Sequence, residues 1–408
     1  MAKTLDVYLK QECVGHLEQD DAGLLWFNYS EVWLKSDFPV ALSHSLPLRG
    51  ERFSRNECRA FFSGLLPEET SRELIAKSFG VSDQNDFAIL EKIGGECAGA
   101  VSLMPSGIAP IAATGDYREI SSDELAEKIG ELPLRPLLAG EEGIRLSLAG
   151  AQGKIAIAIF NGKFFLPLNG SPSTHILKPQ GLHFEGLVEN EFFCMSLAAL
   201  AGLEAADVEI RQAGTSRFLQ VLRYDRVMAE NGSADRIHQE DFCQALGIAP
   251  ELKYQAEGGP NLKRCFELVR EVCSRPGPDV LRLFDAVVFN YLIGNNDAHG
   301  KNFSFLYEDG AARLAPLYDL VCTQAYPELA KNFAMKIGDE RQPDRVAAKN
   351  WLKFFGEAGV GPAIAKKRLL SLAQRVGGIV REMDQSYPGW KSVSPIVLRN
   401  CARVGALG

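Results

Sequence analysis

Apolar positions along the chain alternate between two periods. From residue 1 to about 60 they come in short clusters, Val7-Tyr8-Leu9, Val14-Gly15-His16-Leu17 and Leu24-Leu25-Trp26-Phe27, with Asp20-Asp21-Ala22-Gly23 between the last two. This predicts short strands joined by turns. From Pro67 onward Leu74, Ile75, Phe79, Phe87, Leu90 and Ile93 recur near a 3.6-residue spacing, which predicts helices. Met104-Pro105-Ser106-Gly107-Ile108 reads as a linker. A second β-rich block follows: Ile144–Leu148, a small-residue turn Ala149–Lys154, Ile155–Phe160 ending at a hairpin-type Asn161-Gly162, then Thr174–Lys178 closed by Pro179. A helix from Val188 to Ala201 should stop at Gly202 in a left-handed cap. Phe218–Asp225 reads as one more strand, and beyond about 235 the chain is mainly helical.

β-rich segments followed by helix-rich ones predict an α+β fold with two lobes. The expected divisions are 1–105 (β-rich N-terminal subdomain), 106–235 (a β-rich block with a glycine-rich loop) and 236–408 (a helical C-terminal lobe). With 408 residues, 46% of them hydrophobic and 24% charged, there is ample material for more than one core. No apolar run is long enough to cross a bilayer, and Met1–Asp6 lacks the apolar core of a signal peptide. Nine cysteines without a Cys-x-x-Cys pair suit reduced thiols in a cytoplasm. A net charge of −8 disfavours autonomous DNA binding. From Gly361 to the end, however, eight Lys/Arg face two acids, a local +6. Such a stretch is either a solvated helical face or a surface leaning toward an anionic partner.

Chemistry concentrates in Asn290–Asn302. A helix with Asp279 as its expected N-cap carries Val280, Leu283, Phe284, Val287, Val288 and Tyr291 inward and ends at Gly294. The polar loop beyond it holds Asp297 and, five residues on, Asn302. That is the spacing of a kinase catalytic loop, in which Asp accepts the substrate hydroxyl proton and Asn holds magnesium. Phe303–Tyr307 and Ala311–Leu314 should form a hairpin about Glu308-Asp309-Gly310. Its return strand would bring Asp319 beside Asn302 as a second oxygen ligand. Alone, Asp-x-x-x-x-Asn is a weak signal, and Asp297 with His299 also reads as a pair of hydrolase metal ligands, although no second His cluster completes such a site. The order of the upstream pieces favours the kinase. A small-residue loop between strands, Lys178 on a strand and a helix with Glu189 and Glu191 follow the sequence of a kinase small lobe. The loop is not a Walker A, since Gly150-Ala151-Gln152-Gly153-Lys154 lacks that spacing.

Taken together, Ser147–Lys154, His175-Ile-Leu-Lys178-Pro, Glu189–Cys194, Val221–Arg226, Gly294–Asn302 and Pro316–Asp319, with Phe62–Glu68 near the N-terminus, resemble the HipA family, the toxin kinases of bacterial HipBA toxin–antitoxin modules. The resemblance spans nearly the whole chain. It implies a bilobal protein-kinase-like fold, ATP and Mg²⁺ as cofactors and a cytoplasmic Ser/Thr protein kinase. It makes Asp297 the base, Asn302 and Asp319 metal ligands, and Ala149, Gly150, Ala151, Gln152, Gly153, Lys154, Lys178, His299 and Lys301 nucleotide-binding. Leu222 and Tyr224 fall at an adenine-binding hinge and Glu191 orients the lysine. Ser147 corresponds to the family's autophosphorylated serine, whose modification expels the loop. Gly153 departs from the family, which carries Glu there. The partners implied are a HipB-like helix-turn-helix antitoxin, operator DNA through that antitoxin, and an aminoacyl-tRNA synthetase substrate, glutamyl first. The competing readings are a small-molecule or lipid kinase, because Asp297–Asn302 also resembles a phosphoinositide-kinase loop, and a non-catalytic corepressor.

Overall fold

The N-terminal strands form a sheet with one face in a core. In the computed structural model, which describes residues 3–111, 115–150, 152–181, 184–228 and 234–407, β1 (Lys3–Leu9) pairs antiparallel with β2 (Glu12–Gln19). β3 (Leu25–Tyr29) and β4 (Val101–Pro105) complete the order β3-β2-β1-β4. Leu5, Val7, Leu17 and Phe27 are buried; β3 alternates buried and half-buried positions, whereas β1 is buried on both faces from Leu5 to Leu9. Gly15 is obligatory here: a Cβ would stand 2.3 Å from the carbonyl oxygen of Asn28. The Phe27 ring meets Tyr29, Phe53 and Phe62 at centroid distances of 4.9, 5.9 and 5.3 Å. Phe62 lies on a helix, Arg55–Gly64, where the strand-rich reading to about residue 60 is corrected. Its start was written in Ser54-x-x-Glu57, and the Glu57 carboxylate accepts from the Ser54 amide at 2.8 Å. The helical pattern after Pro67 resolves into Glu69–Ser78 and Asp86–Ile93.

A second sheet takes up the next strands: β5 (Asp116–Ile120), β6 (Ile155–Phe160), β7 (Lys163–Leu168), β8 (His175–Pro179), β9 (Val208–Ala213) and β10 (Ser216–Leu222), ordered β5-β7-β6-β8-β10-β9. The β6–β7 turn is the Asn161-Gly162 pair, both at positive φ (51° and 76°). Ile144–Leu148 is extended but is not a strand of this sheet. Its backbone bonds go elsewhere, from Glu96 N to Arg145 O and from Ser147 N to Glu96 O, both 2.8 Å. Glu96 in turn anchors a buried charge cluster. Its Oε1 accepts from Arg223 and Arg226, while Asp225 takes a two-pronged bond from Arg223 at 2.9 and 2.7 Å. The four side chains are at most 4% exposed. Removing one partner from such a set leaves a buried charge uncompensated, at about 3–5 kcal/mol.

These elements belong to one compact unit, Met1–Pro179, Arg211–Pro250 and Leu306–Gly310; a second comprises Gln180–Ile210, Glu251–Phe305 and Ala311–Gly408. The second is helical apart from its hairpin strands, with Leu187–Leu200, Leu262–Val272, Pro276–Ile293, Ala348–Ala358, Pro362–Glu382 and Trp390–Gly405 as its main helices. Its core is aromatic: Phe284 stacks on Phe354 at 5.1 Å, and Tyr291 meets Trp351 edge-on at 5.2 Å. The helix expected to be capped by Asp279 is capped four residues earlier, by Arg275. Pro276 takes the first turn, where its fixed φ fits and its missing N–H costs nothing. Asp279 sits inside that turn and accepts from Arg282 at 2.8 Å. Gly202 lies just beyond the Leu187–Leu200 helix at φ 75°, as expected of a left-handed stop.

Candidate active site

The loop that carries Asp297 is built by the end of the Pro276–Ile293 helix. Gly294 caps it in the left-handed region (φ 73°), so the chain leaves sharply. Two asparagines then fasten the loop. Asn295 donates to Asn290 Oδ1 at 2.8 Å and accepts from the Asp297 amide at 3.0 Å. Asn296 takes a bond from its own amide to Thr323 Oγ1 at 2.7 Å and donates from its side chain to the Ala330 carbonyl at 3.1 Å. Both are buried, whereas Asp297 between these anchors and Ala298 is exposed. Its Oδ1 accepts from the Tyr254 hydroxyl at 2.9 Å, and the Tyr254 ring stands edge-on to His299 at 5.3 Å.

From His299 the chain makes a short 3₁₀ turn, Gly300–Asn302, before entering the hairpin strand Ser304–Glu308. The Asn302 side chain works in two directions. Its Oδ1 accepts from the His299 amide and its Nδ2 donates to Asp319 Oδ2, both at 3.1 Å. The return strand Ala311–Leu314 delivers Asp319 as the hairpin argument requires, and the residue sits at φ 57°, an uncommon conformation for a non-glycine. Tyr318 pins the junction by donating to the Lys301 carbonyl at 2.6 Å and bonding Ser304 Oγ at 2.7 Å. With the Asn302 amide turned over from the arrangement above, in which its Nδ2 faces Asp319, the half-exposed carboxylate and the amide oxygen make a hard oxygen donor set. It suits Mg²⁺, which takes one or two protein ligands and leaves the rest to water and phosphates.

In the first unit, the glycine-rich loop is drawn closed by its own lysine. Lys154 Nζ donates to the Ala149 carbonyl at 2.9 Å, and Gly150 holds φ 104°, a conformation that L side chains rarely adopt. The loop also docks on the N-terminal subdomain, with Gly150 bridged to Pro67. Gln152 and Gly153 are partly exposed, and Ala151 lies outside the described residues. Ser147 is fully buried; its hydroxyl donates to the Leu65 carbonyl at 2.7 Å. Lys178 is a buried residue of β8 opposite Leu219. Leu222 ends β10 exposed, and Tyr224 donates to Gln239 Oε1 at 2.7 Å. Glu191 belongs to the second unit, buried on the Leu187–Leu200 helix, and His299 and Lys301, also of that unit, are buried in the segment that follows Asp297.

Comparison with known proteins fits this arrangement. Residues 5–104 match the HipA N-terminal domain and residues 146–386 the HipA-like C-terminal domain. The serine/threonine-protein kinase toxin HipA of Shewanella oneidensis is 32% identical, over 94% of this chain and 90% of its own. The chain belongs to the HipA family. Another relative, the protein Y4mE of Sinorhizobium fredii, named as a kinase, is 48% identical over 94% of both chains. A solved structure of the Shewanella oneidensis HipA, in complex with HipB and its operator DNA, superposes with a TM-score of 0.85 at 29% identity and covers 99% of each chain. The α+β, kinase-like fold is therefore that of HipA, and the chain is a Ser/Thr protein kinase of the HipA toxin type.

Several residues of this HipA-family site escaped the sequence reading. Asn295 and Asn296 brace the loop, and two adjacent asparagines directly after a glycine cap were a visible signal. Arg223, Asp225 and Arg226 were noted only as part of a motif, yet they anchor the Leu222–Tyr224 segment; the Arg223 amide donates to the Thr174 carbonyl at 3.0 Å. Tyr254 gave no signal at all: it is 43 residues from Asp297, in a segment of no marked pattern.

Proposed function

We propose that this chain is the ATP-dependent toxin kinase of a two-component toxin–antitoxin module, with Asp297 as the base that receives the acceptor hydroxyl and Asn302 and Asp319 as the ligands of Mg²⁺. The reading rests above all on the 3.1 Å approach of Asn302 to Asp319, with an exposed Asp297 on the same braced loop. When bound, the cation would offset charge on the transferring phosphoryl group. Asp297 orients the acceptor and takes its proton. The loop Ala149–Lys154, with Ala151 among its members, and Lys178, His299 and Lys301 are the proposed phosphate contacts. Leu222 and Tyr224 are the proposed adenine contacts, Glu191 the carboxylate that orients the lysine, and 1–105, 106–235 and 236–408 the proposed divisions of the chain. Residue 153 departs from the family without a charge replacing the missing one nearby in sequence, so the loop backbone carries the cradle.

The proposed protein substrate is an aminoacyl-tRNA synthetase, glutamyl first, whose phosphorylation would arrest growth in the cytoplasm. The relative solved with HipB and operator DNA supports a helix-turn-helix antitoxin as partner, with DNA reached through it. The test is Asp297→Asn in the full chain. Transfer from labelled ATP to a synthetase panel should fall about 10²- to 10⁴-fold while ATP binding persists. Undiminished transfer would remove Asp297 from its role.

Ser147 is the proposed autophosphorylation site. A phosphoserine adds about −1.5 to −2 charges, which neither the Leu65 carbonyl nor the burial tolerates, so the segment must leave its dock. Intact-mass and peptide mass spectrometry after incubation with Mg²⁺-ATP should find the phosphate on Ser147, and the phospho-form should bind nucleotide far more weakly. Phosphate confined to other residues, or equal nucleotide affinity, would refute this.

A further inference from the structure

Away from the catalytic loop, three side chains of different chemistry meet on the outer face of the N-terminal sheet. Asp6 on β1 lies directly across from His16 on β2, and the two are joined by an Asp6 Oδ1 to His16 Nδ1 contact of 2.9 Å. Cys13 is brought to the same face by an irregularity in the ladder. Val7 pairs with Gly15 but Tyr8 pairs with Cys13, so Val14 is an extra residue on β2. Without that bulge Val14 would share the face of Asp6 and His16, and Cys13 would point into the core. With it Val14 is buried and Cys13 is turned outward. The carboxylate, the imidazole and the thiol each then offer a ligand atom within 4.8 Å of the others.

We propose that Asp6, Cys13 and His16 form a binding site for a zinc-class divalent cation. The donor set selects the metal: thiolate and imidazole favour zinc over the hard ions that Asn302 and Asp319 would take. Tetrahedral zinc separates such ligand atoms by about 3.4 to 3.6 Å. The Asp6–His16 pair therefore opens by about half an ångström, and Cys13 closes by side-chain rotation. Asp6 is already oriented for this, since its other oxygen accepts from the Gly107 amide at 2.8 Å, the kind of outer contact that steadies a metal ligand. The His16 side chain is 36% exposed, which leaves an open side for water as the fourth ligand. On binding, the thiol loses its proton to solvent, the proton shared between His16 Nδ1 and Asp6 moves to solvent or, by tautomer exchange, to Nε2, and the Asp6–His16 hydrogen bond is replaced by two metal bonds.

The test uses the full chain, reduced and stripped with a chelator, and titrated with Co²⁺ in excess Mg²⁺. The magnesium occupies hard oxygen sites, and only a cobalt–sulfur bond gives an intense near-ultraviolet charge-transfer band. One equivalent of Co²⁺ should produce that band and Zn²⁺ should displace it. Cys13→Ser should abolish the band. His16→Gln should weaken Co²⁺ binding about 100-fold or more, because even a change in the outer shell of a metal site costs about 10- to 100-fold. Circular dichroism checks the fold of each variant, and Asp6→Asn stands in for any that misfolds. Absence of the band in the wild type, or its survival undiminished in Cys13→Ser, overturns the site.

Discussion

As the proposed base, Asp297 has to be held in place and still be within reach of an acceptor. Tyr254 supplies the first condition through its 2.9 Å bond to Oδ1, and the exposure of Asp297 supplies the second. Replacing Tyr254 by Phe removes one hydrogen bond and keeps the ring against His299. A bond of about 0.5–1.5 kcal/mol corresponds to a two- to tenfold lower kcat, with the KM for ATP unchanged. Steady-state kinetics against a synthetase that the wild type phosphorylates decides this, and a change in KM alone would contradict it. The adjacency of Asn302 and Asp319 was legible beforehand because a short hairpin forces its two ends together. Tyr254 was not, because nothing in the local pattern says which distant hydroxyl will reach a loop.

Among the elements, the Pro276–Ile293 helix shows how much of the loop is decided by one glycine. At Gly294 a Cβ would meet Ile396 Cγ2 at 2.8 Å, and φ is 73°. Gly294→Ala therefore carries the left-handed penalty of about 1–2 kcal/mol, plus the crowding of Ile396. It should lower the urea midpoint and depress activity by more than its stability loss explains, since the Asn295 and Asn296 anchors follow at once. A variant as stable and active as the wild type would refute the argument. This stop was readable from sequence, as were the Asn161-Gly162 and Asp309-Gly310 turns, because positive φ selects glycine and asparagine. The start of the same helix was misplaced because Asp and Pro are both plausible there and only the backbone chooses. Ile144–Leu148 was taken for a strand because an extended apolar segment looks the same whether it joins a sheet or a lone neighbour.

For the molecule as a whole, two buried titrating groups of the first unit set an unusual dependence on pH. Burial pushes the Glu240 carboxyl up to about 7, although it accepts from Ser43, His44 and Tyr307. Burial likewise pushes His238, whose Nε2 faces the Leu42 carbonyl at 2.9 Å, down to about 4. Between about 4.5 and 7 native Glu240 keeps a proton that the unfolded chain releases, so its contribution to stability falls as pH rises. Between about 6.5 and 4 native His238 refuses a proton that the unfolded chain takes, so its contribution falls as pH drops. The two slopes oppose each other over most of the range. Glu240→Gln removes one of them. Its stability relative to wild type should climb by about 3 kcal/mol between pH 4.5 and 7, read by urea unfolding at each pH. A gap that stays flat would mean that Glu240 titrates normally. None of this was visible in the composition, since the −8 net charge counts both groups as ordinary.

Ser147, sealed under the Leu65 carbonyl, has one more consequence. A hydroxyl that must first be uncovered reacts at the frequency of uncovering when transfer outpaces reclosing. As the proposed autophosphorylation site, Ser147 would in that regime be modified at a rate that saturating ATP no longer changes. Loosening the Leu65 dock should then speed the proposed modification of Ser147.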